Sequence, residues 1–281
     1  MSRTIKRLII ITIYLLLFGG IFLFFYSLRD APVPTCFDGV RNQGEKHTDC
    51  GGPCNACVED FSDAKDLTII EKNFVPAVTG SYDVVVRVKN PNPSYGSGSF
   101  DYTVSLHDAS GGILGSRTGE GFILPTEEKY IVVPNVKAST KPASVKVAIK
   151  DPQWSRFTDY EKPELHIYNK RYNPVSSGPG FSEAFGLLRN ESPFDFRDVQ
   201  IYVILKDKGG TVVAAHKTQF NTLDAAEERD FRLLWPQSFS GEVDLEDGVI
   251  MEAEADVFNS ENFVKKYLPG GQYQDLQNTD K

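Results

Sequence analysis

The chain has 281 residues and a formal net charge of −8, from 38 acidic against 30 basic side chains. Three of the basic residues, Arg3, Lys6 and Arg7, precede the first apolar run and no acidic residue does, so the remainder carries 27 basic and 38 acidic side chains, a net of −11. So acidic a body argues against nucleic acid or anionic lipid as a partner, and with 41% hydrophobic and 12% aromatic residues it is no disordered stalk.

Residues 8–28 read LIIITIYLLLFGGIFLFFYSL, without a charge. As a helix this run is roughly 31 Å long, about the thickness of a bilayer's hydrocarbon core. Arg3, Lys6 and Arg7 lie before it, while Arg29 after it is answered at once by Asp30. The positive-inside rule then predicts a single-pass protein of the cell membrane, with residues 1–7 cytoplasmic, a transmembrane anchor at 8–28, and residues 29–281 extracytoplasmic. A cleaved signal peptide competes with this reading, but its apolar core is about 7–15 residues and ends in small residues. A lipoprotein at Cys36 also competes, although Val33-Pro34-Thr35 before that cysteine suits the processing poorly. Gly19-Gly20 lacks the spaced small-residue pattern of close helix pairing.

All four cysteines, Cys36, Cys50, Cys54 and Cys57, fall in a juxtamembrane element at residues 29–60. So short a segment cannot bury enough apolar surface to fold without staples. On the oxidising side of a membrane, two disulfides are expected, with all three pairings open. A four-thiolate zinc site competes through Cys54-x-x-Cys57, but Cys36 and Cys50 are too far apart to supply the matching half. No thioredoxin-like βαβ pattern surrounds the pair for a redox role. Asp38, Asn42, Glu45 and Asp49 space oxygen atoms as a calcium ion could use, though not in the twelve-residue EF-hand order. The bland alternative is that they cap turns. The frame Cys-x-Asp-Gly-x-x-Asn-x-x-Glu, then Asp-Cys-Gly-Gly-x-Cys, resembles a Cys-rich element of exported and surface proteins of bacteria and archaea. That resemblance implies location, not activity.

Beyond it, the chain repeats itself at about 98–100 residues. Asp66-Leu-Thr-Ile-Ile returns as Glu164-Leu-His-Ile-Tyr. Lys89-Asn90 returns as Arg189-Asn190, each before a Pro/Ser loop. Tyr102-Thr-Val-Ser-Leu-His-Asp108 returns as Ile201-Tyr-Val-Ile-Leu-Lys-Asp207, each before a Gly-Gly turn. Leu124-Pro-Thr-Glu-Glu returns near Leu223-Asp-Ala-Ala-Glu-Glu. Tyr102, Val104 and Leu106 alternate with Thr103, Ser105 and His107, which predicts a half-buried strand. The fold expected is all-β: two tandem immunoglobulin-like antiparallel β-sandwiches at 61–159 and 160–268, behind one transmembrane helix and a small disulfide-stapled segment, with a tail at 269–281. The short polar stretch at 159–163 predicts a semi-rigid rod. The order of Asn, polar loop, strand ending in Leu-x-Asp, Gly-rich turn and Leu-Pro-x-Glu-x resembles the immunoglobulin-like modules of the FxLYD and LEA14-like families. The signature strands depart from that consensus, with Ser-Leu-His-Asp and Ile-Leu-Lys-Asp. The whole arrangement resembles surface proteins of candidate-phylum bacteria. None of these resemblances implies a catalytic residue.

Chemistry is sparse. There are four histidines, His47, His107, His166 and His216, and no serine-hydrolase elbow, zinc-protease helix or phosphate loop. His107 and His166 read as solvent-face residues. Glu127-Glu128 and Glu227-Glu228 recur just before a strand and read as turn or edge residues. Tyr95, Phe194 and Phe196 sit on loops, either as partner contacts or as lids folded over a core; Trp154 and Trp235 read as core lids. Asn190-Glu191-Ser192 fits the glycosylation triplet. No enzyme activity is expected, and no cofactor unless calcium. The expected role is a membrane-anchored extracytoplasmic protein presenting two sandwiches for binding or spacing, with protein or glycan partners at the envelope. The alternatives are a structural subunit of an envelope export or pilus-type assembly, and an accessory or sensor ectodomain of an enzyme complex.

Overall fold

The computed structural model describes residues 3–27, 35–45, 48–55, 57, 60–157, 159–175, 177 and 180–268. His47, the Arg29-Asp30 pair and the tail at 269–281 lie outside the described residues. The chain forms two compact units, residues 1–59 and 60–281.

The first unit opens with α1 (Arg3–Ser27), a helix of 25 residues. Its described side chains are exposed throughout, and it is long and apolar enough to cross a membrane. The cysteine segment is a chain of turns held by Cys36–Cys54 and Cys50–Cys57, with Cα atoms 5.5 and 4.9 Å apart. Close packing explains the second glycine of its Gly-Gly pair. Gly52 has a φ of +60°, and a Cβ there would meet the Gly44 carbonyl oxygen at 2.5 Å.

The second unit holds two sandwiches. The first contains β1 (Thr68–Pro76), β2 (Ser81–Lys89), β3 (Tyr95–His107), β4 (Ile113–Ile123), β5 (Glu128–Lys137), β6 (Ser144–Lys150) and β7 (Trp154–Arg156). The second contains β8 (Leu165–Pro174), β9 (Ser182–Asn190), β10 (Phe196–Lys206), β11 (Val212–Leu223), β12 (Glu228–Trp235) and β13 (Val249–Glu254). After β13 come a 3-10 turn (Val257–Asn259) and α2 (Glu261–Tyr267). Sheet β1-β2-β5 faces β4-β3-β6, and β8-β9-β12 faces β11-β10-β13, all pairs antiparallel. β7 continues the line of β6 along β3, since Asp101 pairs with Lys150 and Ser97 with Trp154. This is an immunoglobulin-like topology in both halves.

Each sandwich has its own core. Val84, Val86 and Val88 meet Phe100, Val104, Leu106, Ile131 and Val133 in the first. Leu188, Val199, Ile201, Val203, Leu205, Phe231 and Leu233 fill the second. One end of each is fastened by a fully buried asparagine. Asn90 Nδ2 donates to the carbonyls of Tyr95 and Leu124 at 2.6 and 2.8 Å, while its Oδ1 accepts from Asn92 N at 3.0 Å. Asn190 Nδ2 donates to those of Phe194 and Asp224 at 2.7 and 3.0 Å, and its Oδ1 accepts from Ser192 N and Oγ at 3.1 and 2.6 Å. Asn190 therefore cannot act as a glycan acceptor in the folded chain. Beside these knots, Glu127 and Glu227 close matching turns by accepting from Leu124 N and Asp224 N. Thr126 and Ala226 stand in those turns at φ +57° and +62°.

The expected rod is not what forms. The sandwiches lie sheet against sheet, because the outer face of β1-β2-β5 carries an apolar patch of its own. Val75, Val85, Tyr130 and Val132 pack on Tyr202, Ile204, Val212 and Ala215 in a third buried cluster. Strands buried on both faces read as continuous apolar runs, and Val84-Val85-Val86, Tyr130 to Val133 and Ile201 to Leu205 do so. The matching positions on the two outward faces are mostly polar. The register places Thr103, Ser105, Ile113 and Ser116 where the second sandwich has Tyr202, Ile204, Val212 and Ala215. It places Asn173, Phe185, Asp230 and Arg232 where the first has Val75, Val85, Tyr130 and Val132. Phe185 is covered by Arg171, whose guanidinium stands 5.8 Å from the ring centre.

Candidate functional site

Where the apolar seam between the sandwiches ends, a cleft of about 350 Å³ opens. The start of β5 forms one wall with Glu127, Glu128 and Lys129. Lys162 to Lys170, running into β8, form a second, and Met251 to Glu254 of β13 with Ala255 the third. Leu124, Leu165, Ile167 and Met251 supply an apolar floor.

The polar groups here tie the sandwiches together. Lys129 reaches across to Glu254 at 2.8 Å, with side chains only 6% and 12% exposed. Its ammonium also donates to the Phe122 carbonyl at 2.7 Å and sits 3.5 Å above the Phe122 ring centre. Glu254 accepts from Tyr202 OH at 2.8 Å. Lys206 pairs with Glu71 at 3.0 Å and Lys162 with Glu127 at 3.0 Å, so three lysine–glutamate bridges cross between the sandwiches or their link. Burial raises the Glu254 carboxyl and Lys129 opposes it. Burial also raises Glu252, and it lifts Asp256, at the foot of the cleft wall, from 3.8 to about 6. Tyr202 is pushed well above its usual range by burial and by Glu254. The link is pinned as well: Tyr160 OH donates to the Pro125 carbonyl at 3.1 Å, and Phe157 packs edge-on against Tyr160 and Phe258. Glu254 and Lys129 are placed to offset each other's charge, and the pair joins the two sandwiches.

Most residues singled out from the sequence lie elsewhere. Tyr95, Phe194 and Phe196 are 6%, 4% and 1% exposed, out of reach of any partner. Tyr95 is drawn in by Asp63, which accepts from its OH at 2.7 Å, and by the Phe61 ring. Phe194 is held against Phe263 and Tyr267 of α2. His107 is buried, not on the solvent face, because Ser105 Oγ and the Gly111 carbonyl each lie 2.9 Å from its ring nitrogens. His166 is exposed, grouped with Glu164 and Glu191. Trp235 is buried and Trp154 partly so.

The oxygen atoms of the cysteine segment serve its own loop. Asp38 accepts from Thr35 N, Val40 N and Asn42 Nδ2 at 2.9–3.0 Å, bonds that hold its carboxyl low, the Asn42 bond most of all. Asp49 accepts from Gly39 N at 3.0 Å. Glu45, buried, accepts from Asn42 N and Asp49 N at 3.3 and 3.1 Å. These bonds tie the turns of the loop to one another. Cys36, Glu45 and Cys54 come close enough to share a metal, but both sulfurs belong to one disulfide.

Lys129, Tyr202, Glu252 and Glu254 were not legible as a site. Their signal was a charge set against apolar neighbours, as in Glu128-Lys129-Tyr130-Ile131 and Met251-Glu252-Ala253-Glu254-Ala255.

No protein-family model matches the chain, and no curated protein does. Among solved structures it is similar to red sea bream transglutaminase, at 14% identity and a TM-score of 0.23, over 67% of this chain and 31% of that one. The chain thus spans under a third of that protein, and so slight a likeness carries no argument about fold or activity.

Proposed function

We propose that this chain is a single-pass membrane protein that holds a rigid two-sandwich body outside the cytosol for binding or spacing at the envelope. The observation that carries the reading is the pair of disulfides in the same compact unit as an exposed apolar helix. Disulfides persist outside reducing compartments, and Arg3, Lys6 and Arg7 at the start of the helix favour a cytoplasmic amino terminus. The shared topology of the two halves supports kinship with immunoglobulin-like modules such as those of the FxLYD and LEA14-like families. Glycan or protein remains the partner class proposed, and catalysis is not part of the proposal. Protease added to intact cells, stripped of any outer layer, tests it. Digestion of the sandwiches with the first residues protected is the expected result, and the reverse pattern would invert the orientation.

A further inference from the structure

At the start of β8 the side chains alternate between two sides of the sheet. Leu165 and Ile167 turn in to the second core, while Glu164, His166 and Tyr168 stand exposed on the outer face. β9 runs antiparallel beside them and pairs Leu165 with Asn190 and His166 with Arg189. One step further, Glu191 N donates to the Glu164 carbonyl at 2.8 Å. The ladder thus carries Glu191 to the side of Glu164 and His166. Its backbone is firmly held there, because Asn190 and Ser192 on either side of it form the buried knot.

The three side chains converge. A ring nitrogen of His166 and a carboxylate oxygen from each of Glu164 and Glu191 lie within 4.8 Å of one another. His166 Nε2 stands 3.8 Å from Glu191 Oε2. Two ligand atoms on one tetrahedral zinc ion, each about 2.1 Å from it, are about 3.4 Å apart, so a small movement of exposed side chains closes the set. The other oxygen of Glu191, Oε1, accepts from Tyr168 OH at 2.7 Å. Ligating carboxylates are ordinarily held by such an outer bond. Charge favours a cation too. Glu164, Glu191 and Glu228 surround one guanidinium, that of Arg189, which lies 3.6 Å from Glu191 Oε1 and 3.4 Å from Glu228 Oε1. Arg189 therefore approaches the oxygen that Tyr168 holds and leaves Oε2 to His166.

The first sandwich shows that the scaffold does not call for these residues. Its counterparts of Glu164, His166, Tyr168 and Glu191 are Asp66, Thr68, Ile70 and Pro91. It keeps the buried asparagine, and it keeps the cross-strand pair, Lys89 with Glu128 where the second has Arg189 with Glu228. At those four positions it has no imidazole and one carboxylate.

We propose that Glu164, His166 and Glu191 form a surface site for a divalent transition-metal ion of the zinc type, with Tyr168 positioning Glu191. One imidazole and two carboxylates suit such an ion, and three protein ligands leave a coordination position open. The inference does not depend on where the chain is anchored.

Calorimetric titration of zinc chloride into the full, untagged chain in detergent micelles tests it. One ion per chain is expected, saturating below about 0.1 mM. His166→Ala, Glu164→Gln and Glu191→Gln should each weaken binding about 100-fold or more, and Tyr168→Phe about tenfold. Arg189→Ala, which removes the competing cation, should tighten it. All of these positions are exposed, and circular dichroism checks that the variants keep their fold. Binding that survives His166→Ala, an affinity unchanged in Glu191→Gln, or saturation only above about 0.1 mM, as for an adventitious ion only, would overturn the proposal.

Discussion

Replacing Asn190 by Ala should damage the second sandwich more than its size suggests. The side chain is fully buried and makes hydrogen bonds in two directions, to the Phe194 and Asp224 carbonyls and from Ser192 N and Oγ. Truncation leaves all of those partners without a mate. At about 1 kcal/mol for each, the low end for a stranded buried group, the loss is about 4 kcal/mol. That is a large share of a typical stability of about 5–15 kcal/mol. For a body of this size it corresponds to a fall in Tm of about 8–16 °C. Calorimetry of the detergent-solubilised chain measures it, with Asn221→Ala, at an exposed strand position, as the control. Ser192→Ala, which loses one side-chain bond, should cost about 1 kcal/mol. A Tm for Asn190→Ala within about 2 °C of the parent would refute the reasoning, because water or a shifted loop would then satisfy every partner.

Other consequences are as open to measurement. Lys129→Met leaves the Glu254 carboxylate buried without its cation and should cost about 3–5 kcal/mol, most of it recovered by adding Glu254→Gln; a double variant no more stable than the single would contradict the assignment. Asp256 is raised from 3.8 to about 6 by burial, so its contribution to stability is fully present below about pH 4 and is lost as pH rises through about 6. The parent should therefore fall behind Asp256→Asn between pH 4 and 7, by at most about 3 kcal/mol, in paired denaturant titrations; parallel pH profiles would rule this out. The cysteines should resist alkylation in fresh membranes until a reductant is added, and mass spectrometry should then place the bridges at Cys36–Cys54 and Cys50–Cys57. Free thiols before reduction would remove the staple.

Strands with one wet face were easy to read. Tyr102, Val104 and Leu106 against Thr103 and Ser105 alternate because only one side of β3 is dry. The seam between the sandwiches was not, because a strand dry on both sides has no alternation to display. Val84-Val85-Val86 registers simply as good strand sequence until the second sheet is seen to lie on it. Loop aromatics were ambiguous for a related reason. The sequence around Tyr95 and Phe194 is polar, and nothing local says that Asp63 or Phe263, distant in the chain, draws each ring inward. His107 shares the alternation of Thr103 and Ser105, so its burial under Ser105 and the turn at Gly111 could not be read from the strand pattern. The disulfide pairing was open on spacing alone, and Glu191 joins His166 only through the pairing of β8 with β9.

The distribution of greasy and wet sheet surfaces also limits how such a body can grow. Each sandwich offers its neighbour one dry side and turns a mostly hydrophilic one to the outside, where Thr103, Ser105, Asp230 and Arg232 stand. A third copy spliced onto either end would find no matching surface to settle on. Stacking another sandwich in the same way would first require repainting an exterior sheet.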